Sequence, residues 1–176
     1  IEMKLDFYYY NNLWKAKKRN LTGSNNKVAT LLNGTEIDMQ NIAWIYRLKT
    51  YYNLPNTLIY QYIIPIKYRI DNESMTRLIE AQTQAQLFNE IKSTTYGYAF
   101  TENKGIEKVY YDIMAKVHRR ALSDGGDSIA VIMEYLFRKH LETDNIISLV
   151  EGVRYHLNPD EIIMFLYLND ADQGGD

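Results

Sequence analysis

The chain contains no cysteine, which excludes a disulfide framework, a thiol nucleophile and any thiolate-bound zinc. It has no marked excess of either charge. Its 20 lysines and arginines face 22 aspartates and glutamates, a net of −2, so there is no bulk attraction to nucleic acid. No apolar run reaches the roughly 18 residues of a membrane span. The run LIYQYIIPI, residues 58–66, is broken by Gln61 and Pro65. No Ser-His-Asp arrangement or paired-carboxylate motif is readable from spacing. What is present is a composition 46% apolar and 24% charged over 176 residues, enough for one domain or two small helical subdomains around a shared core. The 16 tyrosines, beside abundant Asn, Ile and Lys, fit AT-rich coding and half-buried helix faces better than a stacking surface.

The periodicity is helical nearly throughout. Leu5 to Arg19 carries Phe7, Tyr10, Leu13 and Trp14 on one face with lysines opposite, until NLTGSNN interrupts it. A short helix from Lys27 is expected to stop at Asn33-Gly34. From Asp38 a new one places Ile42, Ile45, Leu48 and Tyr52 on one face, and Pro55 stands where the next helix begins. IIPIKYRID reads as extended. Asp71 and Thr83 read as N-caps of helices at about 72–81 and 84–92, the second with Gln86 in capping-box position. STTYGYAF is a turn, and helix resumes near Gly105 until SDGGD. From Asp127 or Ser128 the pattern runs unbroken to Leu157, which predicts a helix of about 30 residues and about 45 Å. Asn158, Pro159 and Glu161 then open a last helix.

The chain says nearly the same thing twice. Without a gap, Asn41, Ile42, Tyr51, Pro55 and Ile59 match Asn145, Ile146, Tyr155, Pro159 and Ile163. Upstream, Tyr9-Tyr10 opens a run ending Lys-Ala-Lys-Lys-Arg, and Tyr110-Tyr111 opens one ending Lys-Val-His-Arg-Arg. Two copies of one helical unit are therefore expected, an all-α fold of antiparallel and long helices: residues 1–104, then 105–170 sharing the core, then a disordered tail over 171–176. The two segments should superpose as helix, turn, helix with Ile42 and Ile146 both buried, and Gly152, in mid-helix, should mark a close helix–helix approach. The start at Ile1, without a methionine and entering an amphipathic pattern within a few residues, reads as a fragment of something longer.

Three local signals fail as sites. SDGGDS lacks the lysine and the preceding strand of a phosphate loop, and its GGD would stand between helices rather than on a hairpin. His140 and Asp144 are one helical turn apart, but two ligands do not make a metal site. Lys15, Lys17, Lys18 and Arg19 sit where the helix dipole favours cations. The residues alone point to a protein-contacting helical scaffold with no visible catalytic centre, cofactor or metal.

The stretch GTEIDMQNIAWIYRLKTYYNLPNTLIYQYIIPIKYRI, followed by LIEAQTQAQLFNEIKSTTYGYAF and SIAVIMEYLFRKHLETDNIISLVEGVRYHLNPDEI, resembles the C-type subunit family of V-type and archaeal-type ATPases, whose eukaryotic members are the d-type subunits. The resemblance runs from Tyr8 to Ile163 and rests on the order of Asp38, Asn41-Ile42, Leu54, Thr95-Tyr96-Gly97, Ser128-Ile129, Tyr135, Lys139, Glu142, Asn145-Ile146, Gly152, Leu157 and Glu161-Ile162. It implies a funnel-shaped, pseudo-threefold, all-helical protein without an active site, of which the two units here would lack the amino-terminal one. Such a protein is peripheral on the cytoplasmic face of the membrane, and its partners are the central-stalk subunits and the membrane rotor ring. The sequence departs from the family at His140, where glutamate is usual, at Asp144 and Ile147, where arginines are common, and at Val131, near a usual proline. These losses leave room for a free-standing helical adaptor of the same fold. Arg47, Lys49 and Arg154, on or near the polar faces of the repeated helices, are the partner-binding candidates.

Overall fold

A computed structural model describes residues 2–101, 104–125 and 128–167. Among them are eight α-helices, one short 3₁₀ turn and no strand. They run α1 (Glu2–Asn20), α2 (Gly23–Thr50), α3 (Asn56–Tyr62), α4 (Asn72–Glu80), α5 (Gln84–Ser93), the 3₁₀ turn Gly97–Ala99, α6 (Ile106–Gly125), α7 (Ala130–Arg154) and α8 (Pro159–Phe165). By packing, the chain forms two compact units, residues 1–130 and 131–176. The tail expected from 171, and Asp127 as a helix cap, lie outside the described residues.

The first unit is built around α2. Asn33-Gly34 does not end a helix there, and Asp38 does not begin one, because α2 runs through both. Gly34 is buried inside it for a packing reason: a Cβ at that position would stand 2.5 Å from the Tyr68 ring. The helix ends at Thr50, which leaves Tyr52 exposed rather than on the apolar face. Helix α2 is apolar around most of its girth because α1, α4, α5 and α6 all pack on it. Ile37, Met39, Ile42 and Ile45 are fully enclosed, in one cluster with Leu78, Ile79, Leu87, Ile91, Val109 and Ile113. Burial of this kind, at about 25 cal/mol per Å² of apolar surface, is the main force holding the unit together.

Local signals explain the smaller helices. Asp71 accepts from the Ser74 N–H (2.8 Å) and starts α4, while Thr83 accepts from the Gln86 N–H (3.1 Å) and starts α5. The extended stretch 63–71 joins no ladder among the described residues. In α1 the basic turn is more than a solvated face. Lys17 is buried, donates to Thr30 Oγ1 (2.7 Å) and lies 3.4 Å from the centre of the Trp14 ring.

In the second unit α7 spans 25 residues, about 37 Å, and is shorter than the periodicity implied. It stops at Arg154 because His156 takes a left-handed conformation, φ 57°. Ser128 Oγ accepts from the Ala130 N–H (3.2 Å) at the helix start. At the start of α8, Pro159 is the first helical residue and Glu161 accepts from the Asn158 N–H (2.8 Å).

Candidate functional site

The side chains that organise both units are two asparagines. Asn41, wholly enclosed in α2, donates from Nδ2 to the Ile64 carbonyl (3.1 Å) and accepts from the Ile64 N–H at Oδ1 (2.9 Å). Asn145 of α7 makes the same pair of bonds with Tyr167, 3.2 Å to its carbonyl and 2.8 Å from its N–H. Each asparagine thus replaces the one strand partner that an extended residue lacks, and ties the chain leaving a seven-residue helix back to the preceding long one.

The clasp also sets the register of the repeat. Before the turn the copies differ by 104 residues: Tyr51 N–H bonds the Arg47 carbonyl as Tyr155 N–H bonds that of Glu151. After it they differ by 103. Leu54 N–H bonds the Leu48 carbonyl as Leu157 N–H bonds that of Gly152, and the left-handed residues are Asn53 (φ 47°) and His156. The structural partner of Pro55 is therefore Asn158, both N-caps, and not Pro159, and Ile59 pairs with the buried Ile162 rather than with Ile163. The first copy carries one extra residue in its turn.

Burial separates the copies. Ile42 is 0% exposed and Ile146 is 53% exposed, so the expectation that both are core fails for Ile146. The cause is what covers each: α2 has α6 along it, whereas among the described residues of its own unit α7 has only α8 and the 166–167 segment beside it. Gly152 is at the α7–α8 contact, where a Cβ would stand 2.7 Å from Ile162 Cγ1.

The basic candidates differ in how far they are already engaged. Arg47 is held through both Nε (3.1 Å) and its terminal nitrogen (2.9 Å) by one oxygen of Glu107, with both side chains about half exposed. Lys49 donates to Asn56 Oδ1 (2.8 Å), and partial burial lowers its pKa. Arg154 lies over its neighbour Tyr155, 5.7 Å from the ring centre, on an exposed surface. His140 and Asp144 face each other at 3.5 Å, an ion pair when the imidazole is protonated, and no cluster of three metal-ligating side chains occurs among the described residues.

The sequence pattern did not reveal the Asp38 constellation. Asp38 Oδ2 accepts from the Arg69 N–H (2.8 Å) and from the Tyr96 hydroxyl (2.9 Å), joining α2 to two loops. Burial pushes the Asp38 carboxyl up, an effect that these hydrogen bonds only partly offset. Next to Tyr96, Gly97 has no room for a side chain, since a Cβ would meet the Lys92 carbonyl oxygen at 1.9 Å. The only trace in the sequence was that Asp38 and the Tyr96-Gly97 turn both stood among the positions carrying the family resemblance.

Compared with known proteins, residues 1–164 match the sequence model of the family described as ATP synthase (C/AC39) subunit. No curated protein matches. No described helix is long and apolar enough to cross a membrane.

Proposed function

The chain belongs to the ATP synthase (C/AC39) subunit family, and on that footing we propose that it is the non-catalytic part that couples the central stalk to the membrane rotor ring of a V/A-type rotary ATPase. The observation that carries this reading is the family match over residues 1–164. The fold supports it. A part that passes torque between two partners needs stiffness, and here long helices end in capped turns while the chain beyond each turn is held by the Asn41 or Asn145 clasp. The place proposed for the chain is peripheral, on the cytoplasmic face, in a funnel of related units.

Arg154 is the leading contact residue for the stalk, followed by Arg47 and Lys49. Arg154 is exposed and bonded to no carboxylate among the described residues, so charge reversal there alters binding without breaking an internal pair. Arg47 is available at low cost, because a half-exposed pair such as Arg47–Glu107 contributes about 1 kcal/mol or less.

The test is a binding titration of the protein with purified central-stalk subunits at low and high salt. We expect a complex that weakens with salt and weakens further with Arg154→Glu. No complex under either condition overturns the coupling role and leaves the free-standing adaptor as the reading to pursue.

A further inference from the structure

With the one-residue shift after the turn allowed for, the matched letters that remain structurally equivalent are Asn41 and Asn145, Ile42 and Ile146, and Tyr51 and Tyr155. The asparagines hold the two clasps, and Ile42 fills the core. The tyrosines are the pair that packing does not account for, since Tyr51 is 68% and Tyr155 65% exposed. Each stands at the end of its long helix, on a turn that the backbone holds firmly. Tyr51 N–H bonds the Arg47 carbonyl and Leu54 N–H that of Leu48, with Asn53 left-handed between them. Tyr155 N–H bonds the Glu151 carbonyl and Leu157 N–H that of Gly152, with His156 left-handed between them. The rings are braced as well: Tyr51 meets Tyr46 edge to face at 6.1 Å, and Tyr155 lies against the Arg154 guanidinium at 5.7 Å.

A side chain held in this way has little freedom left to lose on contact, and tyrosine combines a large apolar ring with a hydroxyl that bonds at its tip. Tyrosine and arginine are also the residue types that carry most of the affinity where proteins meet. The cations nominated for stalk binding stand at the same two turns, Arg47 and Lys49 in the last turn of α2 and Arg154 in the last turn of α7. We propose that Tyr51 and Tyr155 are the anchors of the stalk contact, each ring entering an apolar socket on the stalk while the cations beside it meet acidic residues around that socket. This inference rests on the coupling role proposed above. The two kinds of contact respond differently to salt. Ring burial is short-ranged and indifferent to screening, whereas pairs of exposed charges fade as the Debye length shrinks from about 10 Å at 0.1 M to about 3 Å at 1 M.

The test titrates the protein with purified central-stalk subunits at low and high salt. Both tyrosines are exposed, so Tyr51→Ala and Tyr155→Ala should keep the wild-type circular dichroism. Each should weaken binding about 5- to 30-fold, by the same factor at both salt concentrations. Arg154→Glu should weaken it at low salt and much less at high salt. Tyr51→Phe and Tyr155→Phe keep the ring and should recover most of the loss. An alanine variant at either turn that binds as the wild type does overturns the inference and leaves the coupling role standing. A complex that vanishes at high salt is held by charge alone and overturns it in the same way. No wild-type complex at either salt overturns the anchors and the coupling role together.

Discussion

Replacing Asn41 with alanine removes two hydrogen bonds at once and leaves the Ile64 N–H and carbonyl without partners in a place water does not reach. Asn41 is 0% exposed and Ile64 is 1% exposed. Each buried, unpaired group costs about 1–3 kcal/mol, and the better helix propensity of alanine returns about 0.7, so the expected loss is about 1.5–5 kcal/mol. Asn145→Ala removes the same two bonds from Tyr167, but both residues there are half-buried and water takes over, so the loss should be nearer 0.5–1.5 kcal/mol. The assay separates the two units. Trp14 and Trp44 are the only tryptophans and both lie in the first unit, so urea titration followed by their fluorescence reads Asn41→Ala. Exchange of the Tyr167 amide hydrogen, slowed by its bond to Asn145, reads the second. If Asn41→Ala costs no more than Asn145→Ala, the clasp is not a buried hydrogen-bond pair and the reasoning is wrong.

The other expectations follow from the same geometry. Ile42→Ala should cost about 2–5 kcal/mol and Ile146→Ala less than about 1, read as the shift in urea midpoint; equal costs would mean that α7 is covered after all. Gly97→Ala should destabilise more than Gly152→Ala, since the first clashes with a backbone carbonyl and the second with a side chain that can turn; thermal melts showing the reverse order would contradict this. Burial raises the folded-state pKa of Asp38 above its unfolded value of 3.8, so its ionised form costs stability at neutral pH. That cost should fade as pH drops through the raised folded-state pKa towards 3.8, and the stability of wild type relative to Asp38→Asn should rise over that interval. A flat difference from pH 7 to about 4 would show that Asp38 is not the titrating group.

The all-α class, the caps at Asp71 and Thr83 and the opening of the last helix were legible because each depends on residues within a turn of one another. The course of α2 was not. Its Gly34 reads locally as a helix end, and only Tyr68, more than thirty residues on, shows why glycine is needed inside the helix. Matching letters found the repeat but misaligned its second half, because aligned prolines outweighed a one-residue difference in the turn that only the Asn53 and His156 backbones reveal. Ile146 misled for a different reason. An isoleucine on an amphipathic face signals that it needs cover without saying which helix supplies it, and α2 and α7 carry the same signal with different neighbours. The bonds from Tyr96 to Asp38 and from Arg47 to Glu107 bridge about sixty positions, a separation at which spacing carries no information.

Coupling is tested most directly by measuring ATP hydrolysis and ATP-driven ion uptake in parallel, in vesicles that hold the reconstituted rotary complex with this chain and without it. With the chain, hydrolysis and uptake should rise and fall together. Without it, the proposed role requires hydrolysis by the catalytic part to continue while ion uptake stops, and adding the purified protein back should restore uptake. Ion uptake that persists at full rate in the chain's absence would contradict the account.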